Sequence, residues 1–424
     1  MEKKRNWAGN YQYSTNNWHE PESVEEVQQL VSSLKKLRVV GSRHSFNSIA
    51  DSTENMVSLK KLNKVLSIDQ EKQTVTVEAG IKYGDLCPVL QQNSFALHNL
   101  ASLPHISVAG AIATATHGSG NGNQNLAGAI RAMEVVIADG SIVNFSKEKS
   151  EEELHGAVVG LGGLGVVTKL TLDVHPSHQM RQNVYENLPL AQLEHNFETV
   201  FSRAYSVSLF TDWQDETFNQ VWLKSKVTDD QAFSLGEDFY GAKAAKENLH
   251  PVPGVGCENC TAQLGVPGDW LDRMPHFRMD FTPSKGQELQ SEYIMAREYA
   301  YDALCAISEI REHIAPHLFI SEVRTIAQDE LWLSPSYKQD SVAIHFTWQD
   351  KWEDVQKVLP LIEAQLEPFQ AKPHWGKLFT TSPAKIQSLY EKMPAFQQLL
   401  LKYDPNGKFR NTFLNQYIFF NEVE

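Results

Sequence analysis

One stretch constrains the fold of this chain more than any other: VVGLGGLGVVTKLTLDV, residues 158–174. Gly160, Gly162 and Gly165 match G-x-G-x-x-G letter for letter. In a dinucleotide-binding βαβ unit that fingerprint must follow a strand and open a helix, because the pyrophosphate sits at the helix N-terminus. Here the residues after Gly165 are β-branched and alternate in polarity, which predicts a strand. A Rossmann unit is therefore excluded. What remains is a glycine loop ahead of a strand, a place where backbone can approach a ligand closely.

Two further loops share this character. The short strand RVV runs into Gly41-Ser42-Arg43-His44-Ser45-Phe46, and SLPHISVAGAIATATHGSGNGN spans residues 102–123. Successive amides in Gly/Ser loops cradle phosphate oxygens. The small residues of the second loop leave backbone and hydroxyls to line a long ligand, with Ser107, Thr114, Thr116 and Ser119 as donors. Three such loops without a Rossmann helix point to a large phosphate-bearing cofactor in an extended shape. His44 has two readings at this level: a hydrogen bond within its own turn, or a neutral imidazole nucleophile beside that cofactor. Arg43 next to it is expected to disfavour imidazolium.

Length and charge bound the rest. A chain of 424 residues predicts two domains. A formal net charge of -14 disfavours nucleic-acid and anionic-membrane partners, which need basic surfaces. The opening MEKKRNWAGNYQYS has no apolar run after its charges, and no later window approaches a membrane span of about 18 apolar residues. The expectation is a soluble, cytoplasmic monomer acting on a neutral small molecule. Cys257 and Cys260 form a C-x2-C pair, but no second pair accompanies them, so no metal is expected.

The pattern up to His175-Pro176 is α+β. A helix is predicted over 21–37, strands at MVSL and TVTVEAG, and a helix at KYGDLCPVLQQN. AMEVVIADGSIVNF reads as a hairpin turning at Asp139-Gly140, and KEKSEEE as a solvated helix start. Beyond residue 180 come longer strands (VSLFTDW, FNQVWLKSKV), a Pro/Gly-rich loop over 248–275 and a helix over 296–314. HLFISEVRTIA and SVAIHFTWQD then read as antiparallel strands, followed by the helix WEDVQKVLPLIEAQL. In these last two strands Glu322 and Arg324 share one face, as do His345 and Thr347, while Ile344, Phe346 and Trp348 face the core. Gln290 and Lys377 are further polar candidates.

The motifs V-x-G-S-R-H-S-F, L-P-H-I-S-V-A-G-A-x-A-T-x-T-H-G-S-G and G-L-G-x-L-G-V-V-T resemble the FAD domain of the vanillyl-alcohol-oxidase superfamily. Within it they are most similar to alditol (xylitol, sorbitol) oxidases, with aldonolactone oxidases as cousins. The resemblance runs nearly end to end. It implies an FAD-binding domain over residues 10–178 and a substrate domain over 179–370, built on an antiparallel sheet with flanking helices. A segment over 371–424 then packs back on the FAD domain. It implies FAD held by Gly41, Ser42, Arg43, His44, Ser45, Phe46, Ser107, Gly110, Thr114, His117, Gly118, Ser119 and Val166, with His44 joined covalently to the flavin. It also implies a polyol held by Ser107, Glu322, Arg324, Thr347 and Lys377, with Gln290 and His345 as further contacts.

The chemistry suits such residues. A polyol is a neutral row of hydroxyls, each needing a donor or acceptor: Glu322 accepts, Arg324 donates, and Ser107 and Thr347 do both. Oxidising a terminal CH2OH also requires loss of the hydroxyl proton, so a cationic cluster of Lys377 and Arg324 would stabilise the developing alkoxide, with Lys377 as a possible base. Oxygen would accept the electrons as hydrogen peroxide. An aldonolactone oxidase or dehydrogenase on the same scaffold is the alternative. A purely flavin- or sugar-binding protein is a third reading, disfavoured because a binding site needs no cation beside a redox ring.

Overall fold

The computed structural model describes residues 3–227, 236, 238–281 and 287–420. Among them the first 176 residues form three separate sheets, of three, five and two strands. Arg38–Val40 and Trp18–His19 flank Met56–Ser58, both parallel to it. An antiparallel sheet of five strands runs Val65–Asp69, Thr74–Glu78, Val166–Asp173, Ile130–Val136, Ile142–Ser146. Val166–Asp173, the strand that excludes a Rossmann unit, alternates buried and half-buried residues along its whole length. The predicted hairpin pairs Val136 with Ile142, and Gly140 takes the left-handed φ of +87° that the turn requires.

The first helix is shorter than its periodicity suggests. It spans Val24–Ser33, capped by Ser23 accepting from the Glu26 amide, with Val27 and Val31 buried. Leu34 turns extended ahead of the strand that begins at Arg38, and the Leu37 amide bonds the Lys408 carbonyl. Tertiary pairing with the C-terminal segment outweighs the helical pattern there.

The second half is built on one large antiparallel sheet. Its order is Asp238–Phe239, Ala242–Ala244, Gln179–Pro189, Thr217–Lys226, Ser206–Thr211, Leu318–Ile326, Ser341–Gln349, Glu288–Ala296, Lys372–Pro373. One face packs on the helices Leu193–Phe201, Ala300–Glu309 and Trp352–Leu366 through Val323, Ile344, Phe346, Tyr293 and Leu209. Side chains alternate along a strand, so the residues between these core positions face the other way, toward the first half of the chain.

The last part returns to the first half. Ile386, Phe396, Leu400, Phe413, Leu414 and Ile418 share one core with Val77, Leu86, Val135 and Leu170. The segment carrying Lys377 has a different anchor. Lys372–Pro373 is an edge strand of the large sheet, and the Leu378 amide bonds the Gln290 carbonyl at 2.9 Å.

Candidate active site

A cavity of about 520 Å³ lies between the glycine loops of the first half and the free face of the large sheet. On one side it is lined by Gly41 through Phe46, with Ser107, Gly110, Thr114, Thr116 and His117. On the other it is lined by Gln290, Glu292, Glu322, Arg324, His345, Thr347, His374 and Lys377.

The two glycine loops clasp each other. The Ser107 amide donates to Ser42 Oγ at 3.0 Å, and the Ser42 amide to Ser107 Oγ at 3.3 Å. A Cβ on Gly41 would overlap Ser107 Oγ, and one on Gly110 would sit 2.8 Å from it. The two loops can therefore close on each other only because neither position carries a side chain. The third loop is set by Arg38, a residue whose importance its sequence context did not reveal. Its guanidinium is buried and donates to the carbonyls of Gly162 at 2.7 Å, Leu161 at 2.8 Å and Phe409 at 2.9 Å, and to that of Ile49. One cation thus ties together the first loop, the Gly160–Gly165 turn and the C-terminal segment. Burial lowers its pKa to about 10, which still leaves it charged.

Three expectations about this side need correction. Val166 does not reach the cavity: it packs in the core with Val27, Val136 and Phe409, and Leu161 and Gly162 line the cavity instead. A residue that opens a central strand alternates inward, so its side chain serves the core. Gly118 and Ser119 also lie off the cavity. A Cβ on Gly118 would strike Asn99 and Leu100, and Ser119 Oγ bonds the Val207 carbonyl and accepts from the Thr325 amide, joining this loop to the large sheet. Arg43, finally, does not set the charge of His44. It has a left-handed φ of +65°, and its exposed guanidinium donates to the Arg5 carbonyl.

The His44 ring is half-buried, stacked on Trp7 at 5.0 Å between centroids and 4.5 Å from His105. Its Nδ1 lies 2.9 Å from Ser42 Oγ, while Nε2 is buried without a hydrogen-bond partner. Burial first, then His105, Lys377 and Lys82, hold the imidazole well below its ordinary range, so it is neutral. A neutral ring with an unused buried nitrogen, in a loop whose glycines leave room for backbone contact, fits the FAD inferred from the sequence.

The sheet side carries the polar groups in register. Glu322 pairs with His345 and His345 with Glu292 across three adjacent strands, and Gln290 with Thr347 in the next row. Glu322 bonds Arg324 through Oε2, and its Oε1 lies 2.8 Å from His276 Nε2. Burial pushes this carboxyl up, but Arg324 and His276 outweigh it and hold it well below the usual carboxylate range. Arg324 also donates to Ser102 Oγ at 2.8 Å. His345 Nε2 lies 3.1 Å from Thr347 Oγ1, and its Nδ1 3.5 Å from Glu292 Oε2. Glu292 was not among the sequence candidates. It is buried, lies 3.1 Å from His117 Nε2, and is held ionised against its burial by His117 and His345.

Lys377 donates to Gln290 Oε1 and lies 5.2 Å from the Phe46 ring centroid. Asn47 clamps its backbone, donating to the carbonyls of Lys377 at 2.7 Å and Trp375 at 2.9 Å. The FAD-side loop therefore positions the lysine directly. Burial pulls its ammonium below the ordinary range; Glu292 and Glu288 oppose this and Arg324 adds to it. Every substrate-side candidate thus lines one cavity, and Glu292, His374, His276 and Ser102 join them. Single acidic and imidazole residues inside strands carry no local signal that separates them from satisfied sheet residues.

A cavity between three glycine-rich loops and an antiparallel sheet edged with charge defines an FAD-binding protein of the vanillyl-alcohol-oxidase type. The comparisons agree. Residues 18–146 match the model of an FAD binding domain and residues 282–417 that of D-arabinono-1,4-lactone oxidase. The chain is 47% identical to alditol oxidase from Streptomyces sp. over 97% of its own length and 98% of that protein's. It is 28% identical to L-gulonolactone oxidase of Mus musculus, covering 98% of both chains. The fold matches crystalline cholesterol oxidase from B. sterolicum with a TM-score of 0.79 at 12% identity, over 98% of this chain and 96% of that one. The chain belongs to the alditol oxidase family of FAD-dependent oxidoreductases.

Proposed function

We propose that this chain oxidises the terminal primary alcohol of alditols such as xylitol and D-sorbitol to the aldose, with O2 reduced to H2O2. Residues 10–178 hold FAD, residues 179–370 the polyol, and residues 371–424 pack back on the FAD side; of these, 421–424 lie outside the described residues. FAD, when bound, supplies the two-electron acceptor. The observation that carries the reading is the convergence of Glu322, Arg324, Thr347, Gln290 and Lys377 on the cavity that His44 and Ser107 face. Alternating acceptors and donors match a row of hydroxyls, and leaving one buried group unpaired costs about 1–3 kcal/mol, which rejects substrates lacking a hydroxyl.

Each residue has a role. Glu322 accepts from the polyol hydroxyls and Arg324 donates to them. Ser107, Thr347 and Gln290 orient the remainder. Lys377 and Arg324 stabilise the oxygen as it loses its proton. His345 Nε2 and the neutral fraction of Lys377 are the groups able to take that proton, since Glu292 beside Nδ1 orients the ring. His44 attaches covalently to the flavin. Among the described residues no helix is long and apolar enough to cross a membrane, and we infer a monomer working in the cytoplasm.

The lactone oxidase relatives keep the alternative specific. The test is the flavin absorbance of purified protein, anaerobically, before and after xylitol or L-gulono-1,4-lactone. Bleaching by xylitol supports the reading; bleaching by the lactone alone replaces it with the lactone activity.

A further inference from the structure

Behind Glu322 runs a chain of buried polar groups to which the reading above assigns no role. Lys224, on the strand Thr217–Lys226, is 1% exposed and lies on the same sheet as Glu322. Its Nζ donates to the Met274 carbonyl at 2.6 Å and lies 3.1 Å from His276 Nδ1. The far nitrogen of that ring, Nε2, is the atom 2.8 Å from Glu322 Oε1. The ring cannot swing: it meets Phe210 edge-on at 5.4 Å and Trp222 at 5.2 Å. Its backbone is held as well, by the Thr261 amide to the His276 carbonyl at 2.9 Å and by Thr261 Oγ1 to the Pro275 carbonyl at 2.8 Å.

The proton positions follow from the carboxylate. The ionised Glu322 carboxylate can only accept, so the His276 nitrogen that faces it, Nε2, carries the hydrogen, and the other nitrogen of the neutral ring, Nδ1, accepts from Lys224 Nζ. The opposite tautomer would aim a lone pair at Glu322. Burial lowers His276 to about 4, with Lys224 adding to it and Glu322 opposing, so the ring is neutral. Burial also lowers Lys224 to about 7, against Glu322 and with Arg324; Cys260 also faces it. A lysine so deeply buried is costly to keep. Capping one carbonyl does not require it, because a neutral amide would suffice.

Resting on the alditol reading, we propose that Lys224 is a positioning residue: through the His276 tautomer it fixes Glu322 so that the free lone pairs of the carboxylate meet the polyol hydroxyls, setting polyol affinity rather than the rate of oxidation. Both Glu322 oxygens already have one protein partner, and a carboxylate oxygen accepts about two bonds. The orientation imposed by the chain therefore decides where the remaining pair points.

The test uses flavin-loaded enzyme. Lys224→Met is expected to raise KM for xylitol about tenfold or more, the loss of one oriented charge-assisted bond, with kcat within about threefold. Lys224→Gln, which keeps a donor toward Nδ1, is expected to recover most of the loss. In an Glu322→Gln background, Lys224→Met is expected to change KM less than about twofold. Nitrogen-15 NMR of histidine-labelled wild type should show His276 as the neutral Nε2–H tautomer, and that signal should shift in Lys224→Met. An unchanged KM, no rescue by Gln, additivity with Glu322→Gln, or an Nδ1–H or doubly protonated His276 would each overturn the proposal. If Lys224→Met fails to fold, His276→Phe and His276→Gln take its place: the first should match the expected KM loss, and the second, which keeps a donor to Glu322, should be milder. If no polyol bleaches the wild-type flavin, the alditol reading fails, and the tautomer measurement still decides the chain.

Discussion

Replacing Lys377 with Met tests the chemistry most directly. Met has about the length of the lysine stem and no charge, and the local backbone does not depend on the ammonium. The bonds from the Leu378 amide to Gln290, the Lys377 amide to His374, and Asn47 to the Lys377 carbonyl all persist. The loss is therefore confined to one cation in a protein-lined cavity. Removing a single donor to a developing oxyanion costs about 10²–10³ in rate, and losing a general base about 10²–10⁴. If Lys377 serves in either capacity, flavin reduction by xylitol should slow about 10³-fold, or about 4 kcal/mol of barrier. Anaerobic stopped-flow absorbance measures this step apart from reoxidation, and the resting flavin spectrum shows whether cofactor is retained. Reduction within about tenfold of wild type, with flavin fully bound, would refute a charge role for Lys377. A large loss in His345→Gln alongside it would identify the imidazole as the proton acceptor.

Other expectations follow from the same geometry. His44→Ala should leave the flavin in the supernatant after acid precipitation; a yellow pellet would refute attachment there. Glu322→Gln should weaken xylitol binding by about 1–1.5 kcal/mol, the difference between a hydrogen bond to a charged acceptor and one to a neutral acceptor; a titration that shows no change would remove Glu322 from the polyol site. Arg38→Met should cost about 3 kcal/mol or more in denaturant unfolding, since buried carbonyls of Ile49, Leu161, Gly162 and Phe409 lose their donor together. Acid should destabilise the fold below pH 6.5. His276 and His374, held by burial at about 4 and about 3, bind protons more weakly folded than unfolded. Stability must therefore fall as pH drops, by up to about 1.4 kcal/mol per pH unit for each ring. Asp329, raised by burial to about 6, acts in the opposite direction between about pH 6 and 4, as do Glu288 and Asp272, whose carboxyls burial also raises. His105, lowered to about 4, and His44, His98 and His345, lowered by burial as well, add to the loss, and imidazoles outnumber carboxyls. A melting temperature flat from pH 6.5 to 4.5 would contradict the burial of these rings.

The amino-acid sequence alone determined the local elements and the kind of ligand. Three loops of glycine and small residues in one half of the chain pointed to a long phosphate-bearing ligand, and the β-branched run after Gly165 ruled out a dinucleotide helix by period alone. The Glu322–Arg324 and His345–Thr347 pairs were legible because alternation along a strand puts positions two apart on one face. Only the tertiary structure decided which of these faces meet, and what stands behind them. Val166 and Ser119 belong to the right motifs but their side chains turn into packing, and Gly118 lies tight against Asn99 and Leu100, since a motif specifies backbone path and not the surroundings of each residue. Glu292, His276, Lys224 and Arg38 come from separate strands and a loop. Their roles depend on burial and on partners far apart in the chain, which no local pattern encodes. The charge of His44 shows the same division: its neighbour in sequence, Arg43, turns to solvent, and burial with three groups from elsewhere in the fold keeps the ring neutral.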